Sequence, residues 1–317
     1  MDEAVFISIC IPAYKRVSFL KRLLDSIRIQ TFRDFEVVLA DDSPGNEVYE
    51  LSKAHGLADS IRYFKNEKTL GTPENWNESI RRARGKWIKL MHDDDWFSDP
   101  GALGSFANAI KNSPGSLFFF SGYTNVFLDQ NKSEPVMIPG LWRRILERNT
   151  KSLISRNVIG PPSVTIHKNI PGIAYDPALK WLVDIDFYIR FLKNIKPVLI
   201  TENLVRVGVG KDQVTKMVFR NPVVEIPENF YLLDKIGIRS LKSIIVYDAY
   251  WRFIRNLNIR SLAMIREAGY EQPVPGIIES MIRFQATLPI PVLKSGFISK
   301  SLMFLHYIIH YSKLTRG

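Results

Sequence analysis

The sequence predicts an α/β fold, a mostly parallel central sheet with flanking helices, followed by a mainly helical C-terminal region. Three observations carry this. The chain opens with a strand, helix, strand series, which implies a parallel βαβ unit; the alternation continues past residue 90; and after Met217 it gives way to helical stretches broken by Pro222, Pro227, Pro273, Pro275, Pro289 and Pro291. With 317 residues, 46% apolar and 24% charged, the chain has the composition of a folded globular protein and not of a coiled coil, a collagen or a disordered tail.

The elements follow in order. Residues 5–11 read as a strand, 19–30 as a helix with Phe19, Leu20, Leu23, Leu24 and Ile27 as its apolar positions, and 35–40 as a second strand. A helix over 47–55, a strand over 61–64, and a helix with Thr72 as N-cap and Pro73 at its first position come next. Residues 87–91 read as a buried strand and a helix follows Asp99. An apolar run at 117–120 is followed by a basic segment at 141–148 and by a further run at 163–167 that Gly160, Pro161 and Pro162 precede. Residues 181–192 form a helix that spaces Asp186 and Arg190 four apart. The boundary is expected near residue 217: a domain over 1–216, with halves of about 1–100 and 101–216, and a helical appendage over 217–317.

Forty-three basic against 32 acidic residues leave a net charge of +11, which favours polyanions or an anionic membrane face. The single cysteine, Cys10, excludes an internal disulfide and a thiolate zinc cluster, and its apolar setting marks it as a buried strand residue. The longest late uncharged run, 301–312, has 12 residues, short of the roughly 20 that span a bilayer. The opening residues put two acids where a secretory leader carries cations, so a cytoplasmic location is expected, with peripheral contact at the inner face of the membrane as a further expectation.

Two acidic clusters stand out. Asp41 and Asp42 end one strand, and His92, Asp93, Asp94 and Asp95 follow another. In open α/β sheets ligands bind outside the carboxyl ends of the strands, so both clusters should face one crevice. Consecutive carboxylates at a buried strand end cost several kcal/mol unless a cation compensates them, and hard oxygen ligands suit Mg²⁺ or Mn²⁺, which favours a phosphate-bearing substrate. A solvated acidic loop is the plainer alternative. No GxGxxG follows the first strand, no GxxxxGK[ST] occurs, and the five histidines form no HExxH, which excludes the usual dinucleotide, P-loop and metalloprotease sites.

The segments SICIPAYKR, IRIQTFRDFEVVLADDSPG and ARGKWIKLMHDDDWFSDP, in this order and spacing, resemble the nucleotide-binding half of the family 2 glycosyltransferases, and the likeness runs over about residues 5–215. The resemblance implies a GT-A fold and transfer of a sugar, with inversion, from a nucleotide diphosphate sugar, typically a UDP-sugar. The acceptor would be a hydroxyl of a glycan or lipid-linked molecule in surface polysaccharide synthesis, and Mn²⁺ or Mg²⁺ would be the cofactor. On it, Pro12, Ala13 and Tyr14 match the loop that holds the base, and Asp42 matches the aspartate that hydrogen-bonds it. Asp93, Asp94 and Asp95 fall on the DxD-type segment, Asp94 and Asp95 as metal ligands and Asp93 at the donor. His92 stands where many members have aspartate, which leaves the metal register open by one residue, and Asn75, Trp76 and Asn77 replace a common Ala-Arg-Asn. IGPPSVTIHKN resembles the acceptor-side segment. In LKWLVDIDFYIRF, Asp184 takes the place of the catalytic base, with Asp186 the competing candidate. VGVGKDQVT resembles a loop over the donor phosphates that offers Lys211, Gln213 and Thr215.

Two other readings stay open: a non-catalytic basic module for membranes or polyanions, and a nucleotidyltransferase or nucleotide-sugar hydrolase. No nucleic acid partner is expected. In 297–313 the polar residues Ser299, His306, His310 and Lys313 form one narrow stripe on an otherwise apolar helix, within a region of 13 basic and 7 acidic residues. Such a helix either packs as core or lies on a membrane.

Overall fold

The computed structural model describes residues 5–210 and 219–316. The chain divides into two compact units, one comprising residues 1–147, 158–178 and 186–213, the other 148–157, 179–185 and 214–317.

The first unit is built on a nine-stranded sheet. Its amino-terminal part runs β1 (Ile7–Ala13), α1 (Val17–Arg28), β2 (Phe35–Asp41), α2 (Glu47–Ala54), β3 (Ile61–Lys65), α3 (Glu74–Arg81) and β4 (Trp87–Leu90). These four strands are all parallel, in the order β3-β2-β1-β4. The remainder comprises β5 (Trp96–Phe97), α4 (Ala102–Asn112), β6 (Phe118–Phe127), β7 (Lys132–Val136), α5 (Gly140–Arg148), β8 (Thr165–Lys168), α6 (Val183–Phe191) and β9 (Val198–Val209). β8 joins the sheet antiparallel to β4 and β6, while β9 pairs parallel with β6 and antiparallel with β5. β1 is buried at every position, so it reads as a continuous apolar run and not as an alternating one. Leu20, Leu23, Leu24 and Ile27 of α1 pack into the same core, and Cys10 is buried and unpaired, as its setting implies.

One local expectation fails. Thr72 does not cap α3: Pro73 occupies the cap position and no side chain accepts from the first turn. Asp99, by contrast, accepts from Gly101 N at 2.8 Å where the chain turns into α4.

The second unit is helical, with α7 (Pro222–Ile236), α8 (Ile244–Asn256), α9 (Leu262–Glu267), α10 (Gly276–Ala286), α11 (Ile290–Lys294) and α12 (Gly296–Arg316). Its core is largely aliphatic, with Phe230, Tyr247, Tyr250 and Trp251 buried among the aliphatic side chains. Among the described residues no helix is long and apolar enough to cross a membrane.

Candidate active site

The parallel strands β1, β2 and β4 end on one rim. Asp42 N donates to Ala13 O at 3.0 Å and Met91 N donates to Cys10 O at 2.9 Å, so the residues that leave β2 and β4 both flank the end of β1. The two acidic clusters therefore lie on either side of the segment that contains Pro12, Ala13 and Tyr14, as the crevice argument requires.

On one side, Asp41 is fully buried and accepts from Tyr63 Oη at 2.6 Å, Lys65 Nζ at 2.9 Å and Ser43 N at 2.8 Å. Burial opposes its ionisation, but these donors outweigh burial and hold its pKa below the usual value. Asp42 receives Asn66 Nδ2 at 2.9 Å, Leu70 N at 2.8 Å and Gly71 N at 2.7 Å, which shapes the 66–71 loop beside the rim. Asn75 ties the same corner together. Its Oδ1 accepts from Asn66 at 2.9 Å, and its amide reaches Ala13 O and Ala40 O. Pro12 and Ala13 are buried, whereas Tyr14 is 44% exposed at the mouth.

On the other side, the turn after β4 is gripped from several elements. Ser163 Oγ accepts from His92 N at 2.9 Å, Asp95 N closes onto His92 O at 3.1 Å, Asp95 Oδ1 accepts from Gly208 N at 3.1 Å, and Arg22 Nη2 donates to Asp94 O at 3.0 Å. A Cβ on Gly208 would collide with Asp94 O, so this close approach of β9 requires glycine. The Arg16 guanidinium, just past β1, pairs with Asp93 and with Asp94, the latter at 2.9 Å.

The electrostatics mark the turn as a site under tension. Burial, reinforced by Asp94, pushes Asp93 up to about 7 although Arg16 works against the shift. Burial and Asp94 also raise Asp95 well above the carboxylate range. Lys89, buried inside β4 with Nζ on Ser163 O, is pushed down to about 7 by desolvation, and burial lowers His92 to about 4. His92 Nε2 is buried without a hydrogen-bond partner, and one ligand atom from each of His92, Asp94 and Asp95 lies within 4.8 Å of the others. It is the other ring nitrogen, Nδ1, that lies 3.8 Å from Asp95 Oδ2, and an imidazole beside two carboxylates is a donor set able to hold a divalent cation. Within the register left open by the sequence, His92, Asp94 and Asp95 stand close enough to share a cation, and Arg16 pairs with both Asp93 and Asp94.

Asp184 sits in the first turn of α6; residues 183–185 of that helix belong to the second unit and the rest of it to the first. Its Oδ2 accepts from Asn157 Nδ2 at 2.8 Å, its Oδ1 accepts from Ile185 N at 2.8 Å, and burial raises its pKa to about 6. Asp186, the competing candidate, is 1% exposed and committed to Arg190, whose Nε and Nη2 both approach Oδ2 at 2.7 Å. The four-residue spacing read from the sequence does bring the two together, with the carboxylate buried and the guanidinium partly exposed. Lys211, Gln213 and Thr215 lie outside the described residues.

Sequence reasoning passed over Arg16, Arg22, Asn66, Lys89 and Ser163. Lys89 was readable, because a lysine in the middle of the buried run WIKLM needs a partner.

The sheet and its flanking helices have the GT-A fold. Residues 8–160 match the sequence model of Glycosyl transferase family 2 and form a family 2 glycosyltransferase domain. The chain is 28% identical over 202 residues to an uncharacterised glycosyltransferase of Haemophilus influenzae, covering 59% of this chain and 62% of that protein. It is 30% identical over 126 residues to the GalNAc(5)-diNAcBac-PP-undecaprenol beta-1,3-glucosyltransferase of Campylobacter jejuni, covering 38% of this chain and 37% of that one. The chain spans about three-fifths of the length of the first curated relatives it matches. Among solved structures, Staphylococcus aureus TarS 1–349 in complex with UDP-GlcNAc superposes with a TM-score of 0.64 at 16% identity, over 98% of this chain and 90% of that one. The mannosyltransferase PcManGT of Pyrobaculum calidifontis, in complex with GDP-Man and Mn²⁺, gives 0.55 at 16% identity, over 98% and 86%. At these identities the likeness speaks to the fold.

Proposed function

We propose that the chain is an inverting, metal-dependent hexosyltransferase that uses a UDP-sugar as donor and a hydroxyl of a glycan or lipid-linked acceptor as nucleophile, in surface polysaccharide synthesis. The observation that carries this is the turn at 92–95, in which ligand atoms of His92, Asp94 and Asp95 lie within 4.8 Å of one another beside the end of β1.

In this reading Asp94, Asp95 and His92 hold Mn²⁺ or Mg²⁺, and the imidazole tilts the donor set towards Mn²⁺. When bound, such a cation would neutralise charge developing on the diphosphate of the departing UDP. The chain's own residues do the rest. Pro12, Ala13 and Tyr14 form the wall against the nucleoside, Tyr14 offering its exposed ring as a stacking face. Asp42, already fixed by the 66–71 loop, keeps acceptor capacity for an N–H of the base. Asp93, pinned by Arg16, faces the donor. Lys211 extends the phosphate contacts. Asp184 takes the proton from the attacking hydroxyl; a carboxylate with a pKa of about 6 is ionised at neutral pH yet basic enough to accept it. Displacement assisted by one base, with no covalent intermediate, inverts the anomeric centre.

Incubation with UDP-GlcNAc, UDP-glucose and GDP-mannose in Mn²⁺, with and without a polyprenyl-linked glycan acceptor, tests this reading. Acceptor-dependent release of UDP is expected. Release of UDP at the same rate without acceptor would make the chain a hydrolase, and failure to bind any nucleotide would end the proposal.

A further inference from the structure

Ser299, His306, Tyr307 and His310 of α12 face its own unit, whereas Lys300, Ser301 and Ser312 are exposed. Ser299 Oγ accepts from Trp251 Nε1 at 3.1 Å, His306 Nδ1 meets Tyr247 Oη at 2.6 Å, and Tyr307 Oη donates to Lys242 O at 2.6 Å. Ser280 Oγ lies 3.2 Å from His306 Nε2 and 3.0 Å from His310 Nε2, and His310 Nδ1 lies 2.9 Å from His306 O. With both imidazoles neutral one assignment satisfies this whole set. Tyr247 donates to His306 Nδ1, His306 Nε2–H to Ser280, Ser280 to His310 Nε2, and His310 Nδ1–H to the His306 carbonyl. Ser299 and His306 are 1% and 3% exposed. Rolling the helix would orphan these groups, so its orientation is fixed.

The consequence is an inverted surface. Phe297, Ile298, Phe304, Leu305, Ile308 and Ile309 are all exposed, Phe297 to 84%. These positions recur at helical spacing and so form one continuous arc, larger than the isolated apolar residues a monomer ordinarily shows to water. Charge selects what covers it. Glu279 is the last acidic residue of the sequence; residues 280–317 hold Arg283, Lys294, Lys300, Lys313 and Arg316 and no carboxylate side chain. Arg283, 78% exposed although it touches Glu279, lines a cavity of about 360 Å³ together with Leu305 and Ile309, at the edge of the arc, and Lys294 and Lys300 are exposed. A second copy would bring cation against cation. An anionic bilayer answers both features, taking the apolar side chains below the headgroups and the cations at their level.

We infer that α12 lies flat on an anionic lipid surface through this arc. The surface is independent of which nucleotide sugar the rim at β1 and β4 accepts. The test is flotation of the full chain with vesicles of phosphatidylcholine alone or with phosphatidylglycerol, for the wild type and for a Leu305→Ser/Ile308→Ser/Ile309→Ser variant, whose changes are confined to exposed positions. The wild type should float with the phosphatidylglycerol vesicles, less at high salt, and the variant should bind at least about tenfold more weakly at an unchanged melting temperature. Equal binding by both proteins, or no binding by the wild type, would overturn the inference. So would sedimentation showing a wild-type dimer that the variant abolishes, which would assign the arc to a second copy.

Discussion

The turn at 92–95 and helix α12 both bury polar side chains, yet with opposite outcomes. In α12 every buried polar group discussed above finds a partner in its own unit, from Trp251 on Ser299 to Ser280 between the two histidines. In the acidic turn the polar groups are not all satisfied: His92 Nε2 has no partner, and Asp93 and Asp95 are pushed towards protonation despite Arg16 and Lys89 nearby. A satisfied buried network is architecture, and its cost falls on the opposite face, where apolar side chains are left in water. In the proposed function the unsatisfied turn is where a cation would complete the structure.

Four substitutions break or sharpen this contrast. Asp94→Asn removes a donor of the proposed cation site and should lower transfer by about 10³-fold or more, read as UDP release. Asp184→Asn should cost about 10²- to 10⁴-fold in transfer while UDP binding measured by calorimetry stays unchanged. Because burial raises the Asp184 pKa to about 6, the base is ionised above that value, and wild-type kcat should fall as pH drops through it. The variant should lack that limb; a limb that persists would remove Asp184 from the role. In the closed network, His306→Leu strands the Tyr247 hydroxyl and removes the donor to Ser280, and should cost about 1–3 kcal/mol in urea unfolding with nucleotide affinity intact. Phe297→Ser, at a position 84% exposed, should move stability by less than about 0.5 kcal/mol, confirming that an apolar residue there contributes nothing to the core.

Much of the donor half was legible because its signals are local. The βαβ unit, the buried strand before the acids and the apolar face of α1 all follow from periodicity, and the structure moves their ends by only a few residues. β9 was not seen, since Thr201, Glu202 and Asn203 interrupt its apolar pattern and its pairing with β6 shifts register at Ser121 and Gly122. The candidate site was half legible. Its acids stand at strand ends in sequence, but the groups that control them come from far along the chain: Arg16 is 77 residues from Asp93, and Ser163 is 71 from His92. For α12 the polar stripe was readable, but the side that faces the core depends on Trp251, Tyr247 and Ser280, which no periodicity within the helix reveals.

The most direct measurement is calorimetric titration of UDP into the wild type and the Asp94→Asn and His92→Ala variants, each with and without Mn²⁺. If the turn completes itself around a cation, wild-type affinity rises sharply with Mn²⁺ and both variants lose that increment while retaining the weak metal-free binding. Affinity that ignores Mn²⁺ in the wild type, or an increment that survives in both variants, would contradict the assignment of His92, Asp94 and Asp95 to one cation.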